Sequence, residues 1–142
     1  MGAIKEKFFL DRKNAVLVVI DVQDKLCRAM DEKELQKLTG NISILQDTAR
    51  ELDFPMVATE QYVKGLGDTL FILKDKLAEP ALEKMAFSCC GEAPFPDKLK
   101  ALGRKQVIVT GMEAHVCVLQ TVIELLDMYK SQLKTIEKED GV

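Results

Sequence analysis

The sequence predicts an α/β protein with a doubly wound parallel sheet, in a Rossmann-like three-layer α/β/α arrangement with helices on both faces of the strands. Two observations support this fold class. Short runs of β-branched residues alternate along the chain with segments whose apolar residues recur at three- and four-residue steps. The runs are continuously apolar, as in strands buried on both faces of a parallel sheet. This alternation is typical of βαβ units with right-handed crossovers.

Length and composition indicate a single domain over residues 1–142. Of the 142 residues, 47% are hydrophobic and 30% are charged, which is typical of a globular chain that buries one core. The 20 basic and 23 acidic side chains are mixed along the chain and give a formal net charge of −3. Because no basic stripe is present to neutralise a run of phosphates, a nucleic-acid partner is not expected.

Apolar runs and cysteine spacing bear on the location of the protein. No apolar run approaches the roughly 20 residues that cross a bilayer, so no membrane partner is expected. The start of the chain lacks a secretory apolar core. The cysteines are Cys27, Cys89, Cys90 and Cys117, and they show no CxxC spacing. We therefore expect a soluble protein in a reducing compartment, the cytoplasm.

The first half of the chain contains two predicted strands and a long helical segment. The clearest strand is residues 15–20, a continuous apolar run that ends on the charged Asp21. Residues 31–52 carry apolar side chains at three- and four-residue steps. This pattern predicts one helix, or two short helices broken near Gly40. A short second strand over residues 56–59 then leads into polar residues.

The second half repeats the alternation with shorter elements. Residues 69–77 can form a short helix, residues 81–87 are a weaker strand candidate, and residues 97–102 predict a small helix. Residues 106–110 predict a fourth strand from their run of valine and isoleucine. Apolar residues at helical spacing over residues 118–126 then mark the last helix.

Reactive side chains follow several of the predicted strands. In open parallel sheets, ligands bind in the crevice beyond the carboxyl ends of the strands. The residues at these positions are Asp21, Gln23, Glu60, Gln61, Tyr62, Lys84, Glu113, His115 and Cys117. His115 is the single histidine of the chain, which excludes a metal site built from several histidines.

Cys117 is the candidate nucleophile. It lies at the expected first turn of a helix, where unpaired N–H groups and the helix dipole favour a thiolate. His115 is a poor partner because residues two apart on a helix point to different sides. A carboxylate must then act as base, and Asp21 at the end of the neighbouring strand is the natural candidate. Lys84 could hold the charge of Asp21 while lowering the pKa of the thiol.

Each of these residues has a simpler interpretation when it is taken alone. A cysteine at a helix start is often a small buried apolar residue, a strand-end aspartate such as Asp21 can cap the next helix, and Lys84 can be a solvated surface charge. The joint position of Asp21, Lys84 and Cys117 favours catalysis instead. For His115, a structural or substrate-adjacent role is the leading interpretation.

Several motifs, in their order along the chain, resemble those of the isochorismatase-like cysteine hydrolases. They are Val19-Ile20-Asp21-Val22-Gln23, Thr59-Glu60-Gln61-Tyr62, Lys64-Gly65-Leu66-Gly67, Glu83-Lys84, Phe87-Ser88 and Thr110-Gly111-Met112-Glu113-Ala114-His115-Val116-Cys117-Val118. The resemblance covers about residues 12–128. It is strongest to the branch called isochorismatase-domain-containing proteins.

The resemblance implies a hydrolase that acts on a small amide-, ester- or isochorismate-like substrate through a covalent intermediate. It makes Asp21 the general base, Lys84 the orienting cation and Cys117 the nucleophile. It also implies an oxyanion hole formed by the backbone N–H groups of Glu113 and Cys117, with a cis peptide between Met112 and Glu113.

The resemblance also bears on ligands. Metal-binding nicotinamidase relatives place aspartate and histidine ligands after the second strand, where this chain has Glu60-Gln61-Tyr62, so no metal and no cofactor is expected. The predicted substrate-binding residues are Gln23, Gln61, Tyr62 and Phe87. Side chains of these types suggest a mixed polar and aromatic pocket.

The chain departs from the family pattern in two places. Val63 stands where members of the nearest branch usually have proline, which affects loop stiffness more than chemistry. Relatives also continue with a fifth and a sixth strand, whereas this sequence runs into a charged tail over residues 129–142. We therefore expect a four-stranded sheet with an exposed fourth-strand edge, which the tail or a partner subunit covers unless the natural protein is longer.

The exposed edge favours a homo-oligomer. It also leaves open a second function from a different class, a non-catalytic module that binds small molecules or oligomerises while keeping the fold. Oligomeric state and turnover of small substrates would separate the two hypotheses.

Overall fold

A computed structural model describes residues 3–139 of the chain. Its sheet has four parallel strands in the order β3-β2-β1-β4, with the bounds β1 Ala15–Ile20, β2 Met56–Gln61, β3 Leu82–Lys84 and β4 Gln106–Gly111. The predicted parallel α/β fold is confirmed. The third strand is shorter than the predicted residues 81–87, and the second and fourth each extend beyond their predicted ends.

Helices connect the strands and cover both faces of the sheet. They are α1 Ala3–Phe8, α2 Asp24–Arg28, α3 Glu32–Glu51, α4 Val63–Leu66, α5 Phe71–Lys74, α6 Pro94–Leu102 and α7 Leu119–Glu139. A 3₁₀ turn spans Cys89–Gly91 and a π-helical segment spans Ala114–Val118. None of the helices within residues 3–139 is long and apolar enough to cross a membrane.

The long helix α3 is continuous, so the alternative of two helices broken near Gly40 was wrong. It begins after Asp31, whose carboxylate accepts the N–H groups of Lys33 and Glu34 and so caps the first turn. Gly40 faces open space, and a single glycine on an exposed helix face costs only about 1 kcal/mol. The caps and the apolar face outweigh that cost.

Two apolar clusters lie on opposite faces of the sheet. Alternate residues of β1 point to each face: Val16 and Val18 pack with α6 and α7, whereas Leu17 and Val19 pack with α3 and α5. Every residue of β1 is buried. The three-layer arrangement therefore places β1 in the centre, and the end of β1 in the middle of the carboxyl edge of the sheet.

The strand β4 lies at one edge of the sheet. Among residues 3–139 it pairs only with β1, and all six of its residues are half-buried rather than buried. Beside it, α7 exposes Leu119, Ile123 and Leu126. The expected exposed fourth-strand edge is present, and the tail extends α7 to Glu139.

Candidate active site

Asp21, Lys84 and Cys117 meet at the carboxyl edge of the sheet. Lys84 Nζ lies 2.8 Å from Asp21 Oδ2 and 3.6 Å from Cys117 Sγ. Asp21 is 0%, Lys84 3% and Cys117 7% exposed. The three residues come from the ends of β1 and β3 and from the π-helical segment after β4. Three reactive groups from distant parts of the sequence thus share one buried location.

The backbone around Asp21 is held in an unusual conformation. Its φ angle is +50°, a left-handed value that aspartate tolerates better than most residues. The Asp21 N–H donates to the Thr59 carbonyl at 3.1 Å, and the Asp21 carbonyl accepts the Gln23 N–H at 2.9 Å. These bonds turn the chain sharply at the end of β1, and such backbone strain is often found at functional sites.

Gly111 permits the close approach of β4 to this turn. Its φ angle is +120°, and a Cβ atom there would lie 2.1 Å from the Ile20 carbonyl oxygen. The next residue, Met112, donates its N–H to the same oxygen at 2.9 Å. Only glycine fits this position, so the segment that carries Cys117 starts directly beside the strand that carries Asp21.

The Lys84 ammonium is surrounded by acceptors. In addition to its ion pair with Asp21, it donates to Gln61 Oε1 at 2.6 Å and to the carbonyls of Ala86 and Phe87 at 3.0 and 2.8 Å. A buried cation is costly unless it is paired and hydrogen-bonded. The chain that leaves β3 curls back to supply two of these acceptors, which fixes the ammonium between the carboxylate and the thiol.

The two oxygens of Asp21 have different surroundings. Oδ1 accepts the Thr59 hydroxyl at 2.8 Å. Oδ2 contacts the Lys84 ammonium as an ion pair, yet among the described residues no donor makes an aligned hydrogen bond to it. The Cys117 thiol interacts with this carboxylate. Oδ2 is therefore the oxygen with capacity to take a proton.

The thiol of Cys117 is protonated at neutral pH. Burial and the neighbouring Asp21 raise its pKa to about 11, and the opposing effect of Lys84 is smaller. Lys84 lowers the thiol pKa, as predicted, but burial and Asp21 raise it more, so the net shift is opposite to the expected one. The sequence does not reveal that the sulfur is buried against a carboxylate. A protonated thiol needs a base, and Asp21 stands next to it.

The predicted oxyanion residues lie beside the thiol. The peptide bond between Met112 and Glu113 is cis, as the resemblance implied, and Cys117 lies in the π-helical segment that follows. The Glu113 carbonyl accepts the N–H groups of Val116 and Val118 at 3.1 and 3.2 Å. These bonds fold the segment into a tight turn over the end of β4.

His115 points away from the thiol, as its spacing from Cys117 predicted. Its side chain is 76% exposed, and Nε2 lies 3.7 Å from a carboxylate oxygen of Glu113. The imidazole thus contacts the surface side of the segment, while Cys117 faces the interior. The only histidine of the chain has no direct contact with the Asp21–Lys84 pair in this arrangement.

Gln23 was predicted to bind substrate, but its side chain is bonded to backbone groups of the protein. It is fully buried. Its side-chain NH₂ donates to the carbonyls of Gln61 and Gly67 at 2.9 and 2.7 Å, and its side-chain oxygen accepts the Gln61 N–H at 2.7 Å. The amide is therefore satisfied by backbone groups, and it ties the end of β2 to the loop after α4.

The other three predicted substrate residues lie nearer the surface. Gln61 donates from Nε2 to the Met85 carbonyl at 2.7 Å while its oxygen accepts from Lys84, so its amide orients the ammonium. Tyr62 and Phe87 are exposed, and the carbonyl of Phe87 also accepts from Lys84. Two aromatic side chains are thus exposed just after the carboxyl ends of β2 and β3.

The family is decided by comparison with known proteins. The family model described as the isochorismatase domain matches residues 15–128. The chain belongs to the isochorismatase family. It is 34% identical over 119 residues to isochorismatase domain-containing protein 2 of Danio rerio, and 31% identical over 126 residues to isochorismatase family protein 1A of Dictyostelium discoideum. Each match covers 83% of this chain.

Solved isochorismatase-fold structures are similar to the chain. The MAR1 ribonuclease of Caenorhabditis elegans is 41% identical, with a TM-score of 0.73 over 84% of this chain and 61% of that one. The YcaC protein of Escherichia coli, an octameric hydrolase of unknown specificity, has a TM-score of 0.74 at 22% identity and covers 84% of this chain. At that identity the likeness concerns the fold alone.

The chain spans a little under three fifths of the curated relatives named above, 58% of the Danio rerio protein and 59% of the Dictyostelium discoideum protein. Family membership supports hydrolase activity in general terms. The activity and partners of the whole relatives do not transfer with it.

Two residues of this isochorismatase-family site escaped the sequence prediction as site residues. Thr59 is buried next to Asp21, and Cys89 Sγ lies 3.6 Å from the Thr59 hydroxyl. Thr59 could have been found from its position on β2 beside the end of β1, but only if the register between these two strands had been known. Nothing in the local sequence distinguishes Cys89 from a packing residue.

The end of β2 contains no cluster of metal ligands. Among the described residues, no three histidine, cysteine, aspartate or glutamate side chains group in a way that could hold a metal ion. Glu60, in the Glu60-Gln61-Tyr62 segment, accepts the backbone N–H of Thr69 at 2.6 Å. Its carboxylate therefore holds the loop before α5.

A groove of about 630 Å³ borders the cis peptide on the side of α2 and α3. Apolar and polar residues both line it, and they include Leu26, Met30, Leu38, Asn41, Met112 and His115. The volume is in the usual range for small-molecule sites. Glu113 lines this groove, whereas Cys117 does not.

Proposed function

We propose that the chain is a cysteine hydrolase of small amides, esters or isochorismate-like compounds, with Asp21, Lys84 and Cys117 as its catalytic groups. The observation that carries the proposal is the burial of a carboxylate, an ammonium and a thiol in mutual contact. A buried ion pair is weak evidence for stability. Buried ionisable groups in contact with one another at the carboxyl edge of a parallel sheet favour a functional site.

The first chemical step acylates the thiol. Asp21 Oδ2 takes the proton of Cys117 as the sulfur attacks the substrate carbonyl carbon, and a C–S bond forms. The N–H groups of Glu113 and Cys117 stabilise the resulting oxyanion. The leaving amine or alcohol departs with the electron pair of its broken bond and takes the proton from Asp21.

The second step releases the acid. Asp21 accepts a proton from a water molecule, whose oxygen attacks the thioester carbon. The C–S bond breaks, and the thiolate receives the proton from Asp21, so that a carboxylic acid and the free thiol result. Lys84 keeps its charge throughout, because its acceptors hold it between the groups that exchange the proton.

Within this range of substrates, the surroundings of the site favour a small uncharged amide or ester over a carboxylate-bearing, isochorismate-like compound. The ammonium of Lys84 is already fully engaged, so it is not available to bind a substrate carboxylate. Tyr62 and Phe87 expose aromatic surface just after β2 and β3, and the groove beside the cis peptide offers room for a substituent.

The ribonuclease name of the Caenorhabditis elegans neighbour raises a second activity for comparison. Two observations favour the small-molecule hydrolase. The formal net charge is −3, which opposes binding of a polyanion. The only histidine points away from the thiol, so no imidazole is available beside it for general acid–base cleavage of RNA.

Our proposal includes a homo-oligomer in the cytoplasm. The open edge of β4 and the exposed apolar residues of α7 offer a surface for a second copy. The Escherichia coli neighbour is an octamer, and homologous folds often assemble. All four cysteines are free thiols, which suits a reducing compartment.

A simple ester tests the proposal. The purified chain is incubated with p-nitrophenyl acetate, and the variants Cys117→Ala and Asp21→Asn are compared with it. We expect Cys117→Ala to release p-nitrophenolate at the uncatalysed rate and Asp21→Asn to lose about 10²-fold to 10⁴-fold. Mass spectrometry of peptides should locate a transient acetyl group on Cys117.

Cys90→Ala is the matched control, since Cys90 is also a partly buried free thiol, and it should retain full activity. Turnover that survives in Cys117→Ala would contradict the mechanism. If the wild-type chain cleaves single-stranded RNA and Cys117→Ala does not, RNA replaces small amides and esters as the substrate class.

A further inference from the structure

Thr59 makes a contact that the mechanism above does not use. It belongs to β2 and pairs in register with Ile20, the residue before Asp21. Its side chain is only 1% exposed, and its hydroxyl donates to Asp21 Oδ1 at 2.8 Å. The residue therefore touches the carboxylate within the protein interior.

The direction of this hydrogen bond is fixed by chemistry. A carboxylate paired with an ammonium can only accept a hydrogen bond, so the Thr59 hydroxyl donates its single proton to the hydrogen bond with Asp21. The contact at 3.6 Å between that hydroxyl oxygen and Cys89 Sγ must then have the thiol as donor. A chain of hydrogen bonds results, from Cys89 to Thr59 to Asp21 Oδ1.

We infer that Thr59 is a positioning residue that makes the two oxygens of Asp21 unequal, with Cys89 supporting its hydroxyl. Thr59 holds Oδ1, so that Oδ2 faces Cys117 as the proton acceptor. This inference rests on the proposed function. It adds that the proton-accepting oxygen is selected by a neutral hydroxyl from the neighbouring strand, in addition to Lys84.

The environment of Asp21 supports this assignment. The ionisable groups that face its carboxylate are Lys84 from β3, Cys117 from the π-helical segment and Cys89 from the 3₁₀ turn. Burial raises the pKa of Cys89, so this thiol keeps its proton and can donate it. Without Thr59, Oδ1 would be buried with no donor, and the carboxylate could turn to exchange its oxygens.

Removal of the hydroxyl with little change in shape tests the inference. In Thr59→Val we expect kcat for p-nitrophenyl acetate to fall by about tenfold to hundredfold, the range for a hydrogen bond to a charged group. KM should stay within about twofold, because Thr59 is buried behind Asp21. The acidic limb of the pH profile should move upward by about one pH unit, since the ionised carboxylate loses a donor.

Two variants separate this role from a structural one. Thr59→Ser keeps the hydroxyl and should restore kcat to within about threefold of wild type and the acidic limb to its original pH. Thr69→Val removes the hydroxyl of another buried threonine, one with no hydrogen-bond partner among residues 3–139, and should change neither quantity. If Thr59→Val lowers the melting temperature so far that it cannot be assayed, Thr59→Ala takes its place.

The outcomes distinguish the two proposals. If Thr59→Val keeps the wild-type kcat and pH profile while Asp21→Asn is inactive, the positioning role is overturned and the proposed function stands. If Asp21→Asn and Cys117→Ala both remain active, the proposed function itself is wrong. A loss in Thr59→Val that Thr59→Ser does not restore would also overturn the role of the hydroxyl.

Discussion

The region of β1, β2 and β3 and the region of β4 and α7 differ in what they bury and what they expose. Around β1, β2 and β3, charged side chains are buried, and those of Asp21 and Lys84 are held by several partners. Around β4 and α7, apolar side chains are exposed and one strand edge is unpaired within the described residues. In the first region the unfavourable free energy comes from buried charge. In the second it comes from apolar surface exposed to water.

The comparison shows what each region needs in order to be stable. The buried charges depend on contacts within the chain, so one substitution there leaves an unpaired ion. The exposed edge of β4 makes no strand pairing within the described residues, so we expect a substitution there to change assembly more than folding. Three further experiments test this contrast, starting with the one that should have the largest effect.

Lys84→Met removes one partner of the buried ion pair and leaves Asp21 without its cation. We expect the free energy of unfolding to fall by about 3–5 kcal/mol. Chemical denaturation followed by circular dichroism measures it. Lys74→Met is the control, because Lys74 forms an exposed pair with Asp68 worth no more than about 1 kcal/mol. Equal losses in the two variants would break the contrast.

The pH dependence of Cys117 is the second test. Because its pKa is raised to about 11, alkylation by iodoacetamide should be slow at neutral pH and rise about tenfold per pH unit as the thiolate forms. Asp21 is one cause of the raised pKa, so Asp21→Asn should move the midpoint to lower pH. Peptide mass spectrometry measures each thiol separately.

Cys90 is an internal reference in the same experiment. Its pKa is also raised to about 11, but by burial and by Glu124, so Asp21→Asn should not move it. The stability consequence has a definite sign. The unfolded thiol of Cys117 ionises near pH 9.0 and the folded one near 11, so folding stability is lost as pH rises through this window. A midpoint for Cys117 near that of an exposed thiol would contradict the buried setting.

Ile123→Glu is expected to have the smallest effect on stability. Ile123 is exposed on α7, next to residues that line the groove between α7 and β4, so the free energy of unfolding should change by no more than about 0.5 kcal/mol. If a second copy covers this surface, light scattering should show a smaller particle. Ile44→Glu, an exposed site on α3, should leave the particle size unchanged. A wild-type monomer would refute the homo-oligomer.

The fold was predictable because its signals are local. The apolar run that forms β1 and the periodic side chains of α3 indicated their elements directly, and the position of Asp21 after β1 placed it at the carboxyl edge. The continuity of α3 through Gly40 was not predictable, since it depends on the exposure of that glycine. The exposed edge of β4 was expected from the family pattern.

The electrostatics of the site were less predictable, because they depend on burial and register. The helix start favoured a thiolate at Cys117, but desolvation and Asp21 reversed the direction. Gln23 was assigned to substrate from its residue type, whereas its amide is consumed by backbone groups. Thr59 became visible only when the pairing of β1 with β2 was known.

Gly111 couples the architecture of the sheet to the position of the nucleophile. Because a side chain at that position would collide with the backbone of Ile20, the missing Cβ sets the spacing between two strands that carry Asp21 and lead to Cys117. Replacing Gly111 with any larger residue would push the two strands apart and move the Asp21 carboxylate away from the Cys117 thiol. The catalytic groups would be displaced while the core stays packed, so we expect such a variant to be inactive but folded.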